Sequence, residues 1–420
     1  MLDKKYSIEL FGKAIAKASG LIKQFFVLIF IGVSQGLDTF YVATSLSSII
    51  LSLIAWSEIM LIPKMNKNLD NIDRLMSDYS GAMFALSILC TILISIISVI
   101  TLDIETAKWV VLIGIWSTIN VTNSIKMLAF RVQGEMTPIF SYFSMTSIYG
   151  MVIFVCISII SSSFGFHGDI YIYILYISLI VPELYFFFKW HKPYQSEQFN
   201  FEVYLLKKLL KELVLSSKSR GIVFILILVY SIDATDKLFT TSVDGGASLL
   251  VYGSMLPLIL RNVFDVKALF FSEIDKIGTI DVRLEKLKSI MLRLIILYCP
   301  IVSFLICVIY FIGWDIVVLL DLNFTSFEFD SVLKILIIYS ILTPTYIFWD
   351  LCYRVYYVYQ YQKLVVGIVS IGFIINVALN YLFSIVFDLG VYGISISTLF
   401  VFSFYSISSL FFLFYLKRTY

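Results

Sequence analysis

Twelve long apolar runs are separated by connections whose charge alternates in step, and nothing else in the chain constrains the fold as strongly. The runs are 10–33, 38–63, 78–101, 107–130, 137–161, 168–190, 217–241, 246–273, 289–313, 331–357, 361–387 and 390–416. Each reaches the roughly 20 residues that cross a membrane as a helix. Lys4 and Lys5 precede the first run, Lys64, Lys67 and Arg74 follow the second, and Arg131 follows the fourth. Basic residues cluster again from Lys189 to Arg220, from Lys276 to Arg293, at Lys363, and at Lys417 and Arg418. The intervening connections 34–37, 102–106, 162–167, 242–245, 314–330 and 388–389 contain no Lys or Arg. Basic connections stay on the cytoplasmic side, so the alternation predicts an even number of spans with both termini cytoplasmic. Backbone crossing hydrocarbon must satisfy its own hydrogen bonds. The expected fold class is therefore all-α integral membrane, with twelve transmembrane helices.

Composition agrees. The 420 residues are 60% hydrophobic and 14% charged, with mean hydropathy +0.94; a soluble domain is about half apolar and about a quarter charged. A net charge of +2 gives no reason to expect nucleic-acid binding. Cys90, Cys156, Cys299, Cys307 and Cys352 all fall in apolar runs and read as packing residues. With only His167 and His191, both in connections, a His/Cys metal site or a Ser-His-Asp triad has little to work with. The first apolar run outlasts the hydrophobic core of a signal peptide and lacks a small-residue cleavage pattern before Asp38, so no cleavable leader is expected.

The longest connection divides the chain into six runs and six. The predicted organisation is an N-terminal six-helix lobe over 1–190, a cytoplasmic linker over 191–216, and a C-terminal six-helix lobe over 217–420. Within the linker, Leu205, Leu206, Leu209, Leu210 and Leu213 share one helical face and Lys207, Lys208, Lys211 and Glu212 the other. That is the pattern of a helix lying on the membrane surface. Two six-helix halves suggest the repeat architecture of many transporters.

Ionisable residues at membrane depth are the candidate functional groups, because idle charge there is costly. Lys13, Lys17 and Lys23 fall within about 120° of arc on the first helix. A turn at Ser34–Leu37 and Asp38 then open the second helix. Three lysines on one span suggest a polar cavity for an anion, although Lys13 is near enough to the cytoplasmic end to snorkel. Glu58, Lys126 and Glu183 read as single charges of interfacial or functional use. Asp233 and Asp236 are three residues apart and share a face, with Lys237 beside them, so they are either neutralised there or form a coupling-ion or proton site. Arg261 with Asp265, and Asp350 with Arg354, are acid–arginine pairs one turn apart; Lys267 lies beyond the first pair. Arg261 falls near mid-span and is expected to face the cavity. Asn376 and Asn380, four apart, suit helix–helix hydrogen bonding.

Four segments carry a family resemblance: SGLIKQFFVLIFIGVSQGLDTFYVA, ATDKLFTTSVDGGASLLVYGSMLPL, IVVLLDLNFTSFEFD into YRVYYVYQYQK, and NVALNYLFSIVFDLGVYGISIST. Together they resemble the MurJ (MviN-type) flippases of the multidrug/oligosaccharidyl-lipid/polysaccharide exporter superfamily, over nearly the whole chain. Lys17, Lys23 and Asp38 fall on that family's charged positions. The resemblance implies two six-helix lobes around a central cavity, a MATE-like arrangement. It implies movement of undecaprenyl-diphosphate-linked sugars across the bacterial cytoplasmic membrane by alternating access, and partners among the polymerases or glycosyltransferases of the same pathway. It also implies Na+ or H+ coupling at Asp236, Asn376, Asn380 and Thr398, with Asp233 nearby and no other cofactor. Some members carry a carboxylate where this chain has Asn380.

The departures are specific. TSLSSIILSLIAW lacks the Pro-Asn and paired arginines usual in the second helix, Gln24 replaces an acidic residue, and two C-terminal spans are missing. These point away from the peptidoglycan-precursor transporter and toward a Wzx-like flippase for a surface-polysaccharide repeat unit. The main rival is a MATE-like exporter of small cations, which the lysines oppose and Asp233 and Asp236 favour. A polymerase or ligase would need an external catalytic surface that the connection 314–330 is too short to supply, so no enzyme activity is expected.

Topology is directly testable. A cysteine placed at Ser163 is expected to react with an impermeant thiol reagent from outside intact cells. Cysteines at Asn68 and Ser196 are expected to react only after permeabilisation. Labelling of Asn68 from outside would refute the alternation.

Overall fold

The computed structural model describes residues 4–67, 71–190, 206–207, 209–211, 217–243, 245–263, 280–319, 324–358 and 361–419. Among these residues the long elements are α1 (Lys4–Phe30), α2 (Gln35–Lys67), α3 (Ile72–Thr101), α4 (Ile104–Gln133), α5 (Met136–Ser163), α6 (Ile170–Trp190), α7 (Ser217–Thr240), α8 (Gly246–Val263), α9 (Ile280–Leu319), α10 (Ser326–Val358), α11 (Gln362–Asn380) and α12 (Gly390–Thr419). A π-helical turn, Tyr381–Val386, extends α11. Each overlaps one predicted run. Eight of them are long and apolar enough to cross a membrane, and α8 is a shorter apolar helix. The other long helices, α1, α4 and α7, hold many of the polar residues singled out above. Of the amphipathic linker, 206–207 and 209–211 are helical, with Leu209 buried and Lys207 and Lys211 exposed; its remaining residues lie outside the description.

Local chemistry sets the helix ends. Asp103 caps α4, its carboxylate accepting from the Thr106 amide at 2.6 Å, and Gly134 closes the helix in the left-handed region at φ 78°. Thr325 and Glu328 form a reciprocal capping box at the start of α10. The first turn differs from expectation: α2 opens at Gln35, and the chain reverses over 31–34 with Gly32 at φ 68°. Gly36 is inside the helix for a packing reason. A Cβ there would meet Ile172 at 2.7 Å and Asp169 at 2.8 Å.

The described residues divide into two compact units, one within 4–31 and 35–234, the other within 32–34 and 235–419. In the first unit, α1 packs on α5, α4 on α2, α3 and α6, and α5 on α6. In the second, α10 packs on α8 and α12, and α11 on α12. Small side chains permit close approach: a Cβ at Gly114 on α4 would meet Thr91 of α3 at 2.3 Å. The outward surfaces of α3 (Ile92, Leu93, Ile96, Ile97, Ile100) and α9 (Leu292, Ile296, Phe304, Phe311) are apolar and exposed. A soluble surface rarely carries such continuous apolar patches; these faces are built for lipid. The protein is a multi-pass membrane protein.

Helix prolines free carbonyls that then need partners. Pro344 in α10 leaves the Ser340 carbonyl without its amide, and the Tyr298 hydroxyl of α9 donates to it at 3.2 Å. Pro182 in α6 likewise frees the Ser178 carbonyl, which approaches the bare Cα of Gly150 on α5.

Gly372 of α11 tests this packing. A Cβ there would lie 2.0 Å from the Tyr405 ring, which is fully buried and stacked on Trp349. Gly372→Ala is expected to cost about 1–3 kcal/mol despite its better helix propensity. Gly367→Ala on the same helix meets nothing within 4 Å and is expected to stabilise by up to about 1 kcal/mol. Thermal unfolding of the two variants in detergent checks the opposite signs.

Candidate functional site

Three polar clusters emerge. The first lies at the basic end of the first unit. Arg131, just past the fourth predicted run, donates to Glu9 at 2.7 Å and to Glu58 at 3.2 Å, and Lys13 pairs with Glu9 at 2.9 Å. Burial opposes charge on Glu9, which lies just before the first predicted span. The Arg131 and Lys13 cations outweigh it and hold that carboxyl below its usual pKa. Lys13 also stands over the Phe143 ring at 5.6 Å. Lys13 is thus paired with an acid, which it shares with Arg131.

Lys23 differs. It is half-buried where α1 meets α5, and among the described residues no ion pair forms at it. The position a Gly150 Cβ would occupy lies 4.0 Å from its Nζ and 2.6 Å from the Ser178 carbonyl that Pro182 frees. The amine therefore lies near the α5–α6 contact at Gly150, with no carboxylate paired to it among the described residues. Lys17 is exposed on the same helix, and Asp38 is buried in the first turn of α2. Gln24, where the resemblance expects an acid, accepts from the Tyr41 hydroxyl at 2.9 Å.

The second cluster surrounds Asp236 of α7. Asn376 and Asn380 of α11 donate to its Oδ1 at 2.9 and 2.8 Å, and Thr398 of α12 donates to its Oδ2 at 2.6 Å. All four side chains are buried. The two asparagines thus serve a carboxylate rather than a bare helix–helix contact. The π-helical turn begins directly after Asn380, whose carbonyl accepts from the Ser384 hydroxyl at 2.7 Å; such turns recur at functional sites. Asn380 Oδ1 is a buried acceptor with no donor among the described residues. Asp233 does not join: it is exposed while Asp236 is buried. Three residues on a helix are about 60° apart, enough to place one carboxylate inside and the other outside.

The third cluster surrounds Glu183 of α6, whose partners the sequence reading did not find. Asn120 and Asn123 of α4 and Tyr142 of α5 all donate to its carboxyl. The i, i+3 asparagines inside an apolar run were the available signal. Elsewhere, Arg261 stacks on the Tyr346 ring at 4.0 Å. Lys126 is half-buried with its amine over Phe130. Lys267 and Asp265, and the side chain of Arg354, lie outside the described residues.

Comparison with known proteins follows the geometry. No family model and no curated protein matches this chain in sequence. Solved structures do match in fold. "Lipid II flippase MurJ, inward closed conformation" superposes with TM-score 0.68 at 17% identity, covering 97% of this chain and 86% of its own. An inward-facing multidrug resistance MATE family transporter of the MOP superfamily gives 0.61 at 14%, covering 97% and 99%. The outward-facing conformation of such a transporter gives 0.53 at 13%, covering 98% and 95%. The class is thus a polytopic α-helical membrane protein with the fold common to these exporters and flippases.

One carboxylate with amide and hydroxyl oxygens suits a monovalent hard cation or a proton. A divalent ion would call for more charge, and no group of three or more His, Cys, Asp or Glu residues that could hold a metal occurs among the described residues. At constant ionic strength, sodium is expected to raise the melting temperature of purified protein, more so in Asn380→Asp, where a second carboxylate needs neutralising, and not in Asp236→Asn. Equal sodium responses in all three would reduce the cluster to a structural role.

Proposed function

We propose that the protein is a flippase that carries a diphosphate-linked lipid oligosaccharide, such as an undecaprenyl-linked surface-polysaccharide repeat unit, across the bacterial cytoplasmic membrane by alternating access. The observation that carries this reading is Lys23, a half-buried lysine at the α1–α5 contact with no ion pair among the described residues. A cation without a carboxylate partner lowers the cost of bringing a diphosphate into the membrane. Lys17, on the same helix, extends the basic face, and Lys13, already paired with Glu9, contributes less. Arg261 and Lys267 are the further cations this reading assigns to the acidic headgroup. The fold shared with the lipid II flippase supports the assignment. Both termini would be cytoplasmic, and glycosyltransferases or a polymerase of the same pathway would supply and consume the substrate. The reaction is translocation, with no covalent chemistry.

Coupling would use Asp236, Asn376, Asn380 and Thr398. When bound, Na+ or H+ neutralises the carboxylate; these side chains supply its oxygens once the amides turn from donating to accepting. The same cluster supports a second reading, a cation-coupled small-molecule exporter, since carboxylate sites suit cationic cargo and MATE transporters share the fold.

The two readings part on the lysines. Near a protein surface, a charge pair at about 4 Å is worth on the order of 4 kcal/mol before desolvation. In complementation of a flippase-null strain, Lys17→Gln with Lys23→Gln is expected to abolish surface-polysaccharide production at normal membrane levels, with Lys→Arg tolerated better. Full production by the double variant would refute the role of these lysines and leave Arg261 and Lys267 as the remaining candidates, whereas failure of the unaltered protein to restore production would favour the exporter reading.

A further inference from the structure

Glu183 is 5% exposed and follows the helix-kinking Pro182. Its Oε1 accepts from Asn120 Nδ2 at 3.0 Å and from the Tyr142 hydroxyl at 2.9 Å. Its Oε2 accepts from Asn123 Nδ2 at 2.8 Å and from the same hydroxyl at 2.9 Å. Asn123 Nδ2 also reaches the Glu183 backbone carbonyl at 3.0 Å. Every donor is neutral. Below the carboxyl lies an apolar cluster of Met127, Tyr142, Phe186 and Trp190.

Lys23 of α1, whose amine comes near the α5–α6 contact at Gly150, forms no ion pair with Glu183. On α4, Lys126 stands over Phe130, and Arg131 holds Glu9 and Glu58. On α6 itself, Lys189 stands over Tyr185 and Phe186. Helix α5 brings Tyr142 and, two turns away, Tyr149. Helix α2 brings Asp38, Tyr41 and Glu58, of which Tyr41 donates to Gln24. Among the described residues no lysine or arginine pairs with Glu183.

A permanently ionised carboxylate is an expensive way to join three helices in hydrocarbon, because buried charge is normally paired. A glutamine would serve as glue. Two features suit the site to a change of protonation. The ionised form is held by three neutral donors, the Tyr142 hydroxyl sharing its one hydrogen between both carboxyl oxygens. The protonated form has acceptors available after two local turns: the Tyr142 oxygen, once its hydrogen turns away, and Asn123 Oδ1, once that amide turns over; in its present setting Oδ1 is a buried acceptor with no donor among the described residues.

We propose that Glu183 is a proton-binding site of the first unit, separate from the Asp236 cluster, with Tyr142 and Asn123 as its positioning residues. A proton from water adds to a carboxylate oxygen, and the −1 charge becomes a neutral acid; no other reactant takes part. Coupling of this step to transport rests on the transporter reading, but proton binding itself does not.

The test is infrared spectroscopy of the purified protein across a pH series, in an Asp236→Asn background that silences the carboxyl of the second cluster. The chain's other carboxyls also protonate on acidification, so the expected result is one component of the carboxylic-acid C=O band that grows on acidification, is absent in Glu183→Gln, and is displaced in frequency in Tyr142→Phe because the group loses a hydrogen-bond partner. Should Glu183→Gln not fold, Tyr142→Phe decides alone, since it keeps the carboxyl. No pH-dependent component lost in Glu183→Gln, a component unmoved in Tyr142→Phe, or one that answers to sodium and not to pH each overturns the proposal. Because no substrate is involved, failure here is distinct from failure of the flippase reading.

Discussion

Hydrocarbon offers no hydrogen bonds, so every backbone polar group inside the spans must find its partner in the protein, and most side-chain polar groups gain by doing the same. The rest of the structure follows from this constraint. Hydroxyls of α2, α3 and α4 return to carbonyls one turn back, as Ser57 does to Leu53, Thr91 to Ser87 and Thr122 to Thr118. A carbonyl that proline deprives is met by Tyr298 across a helix interface. Glycines are placed where a neighbour must come close, as Gly114 to Thr91 and Gly372 to Tyr405.

Charge obeys the same constraint in two ways. Toward the basic end of the first unit, Arg131 gathers Glu9 and Glu58, and Glu9 also takes Lys13, so opposite charges cancel. Deeper in each unit, a single carboxyl is held by two asparagines and a hydroxyl: Glu183 by Asn120, Asn123 and Tyr142, Asp236 by Asn376, Asn380 and Thr398. Both sites keep a buried amide oxygen in reserve, Asn123 Oδ1 and Asn380 Oδ1. Neutral donors stabilise an anion without cancelling it, so such a carboxyl remains responsive to a proton or a small cation. A salt bridge in the same place would remove that response.

Much of this was readable in the chain. The all-helical class and the approximate limits of the long helices follow from apolar length, because a span has a minimum size and connections must carry the polar residues. The lysine face of α1 follows from residue spacing, because helical periodicity is local. The residue set around Asp236 was reachable through family resemblance alone: Asp236, Asn376, Asn380 and Thr398 come from three helices, and no periodicity links positions more than a hundred residues apart.

By itself, then, the sequence determined the all-α membrane architecture and which helices bear charge, since both depend on composition within one segment. Tertiary structure decided what each charge meets. It buried Asp236 while leaving Asp233 exposed, gave Lys13 an acid while Lys23 forms no ion pair among the described residues, and assembled the partners of Glu183. The physical reason is that hydrocarbon sorts segments by their total polarity, whereas hydrogen bonds act over about 3 Å between side chains whose proximity only helix packing creates.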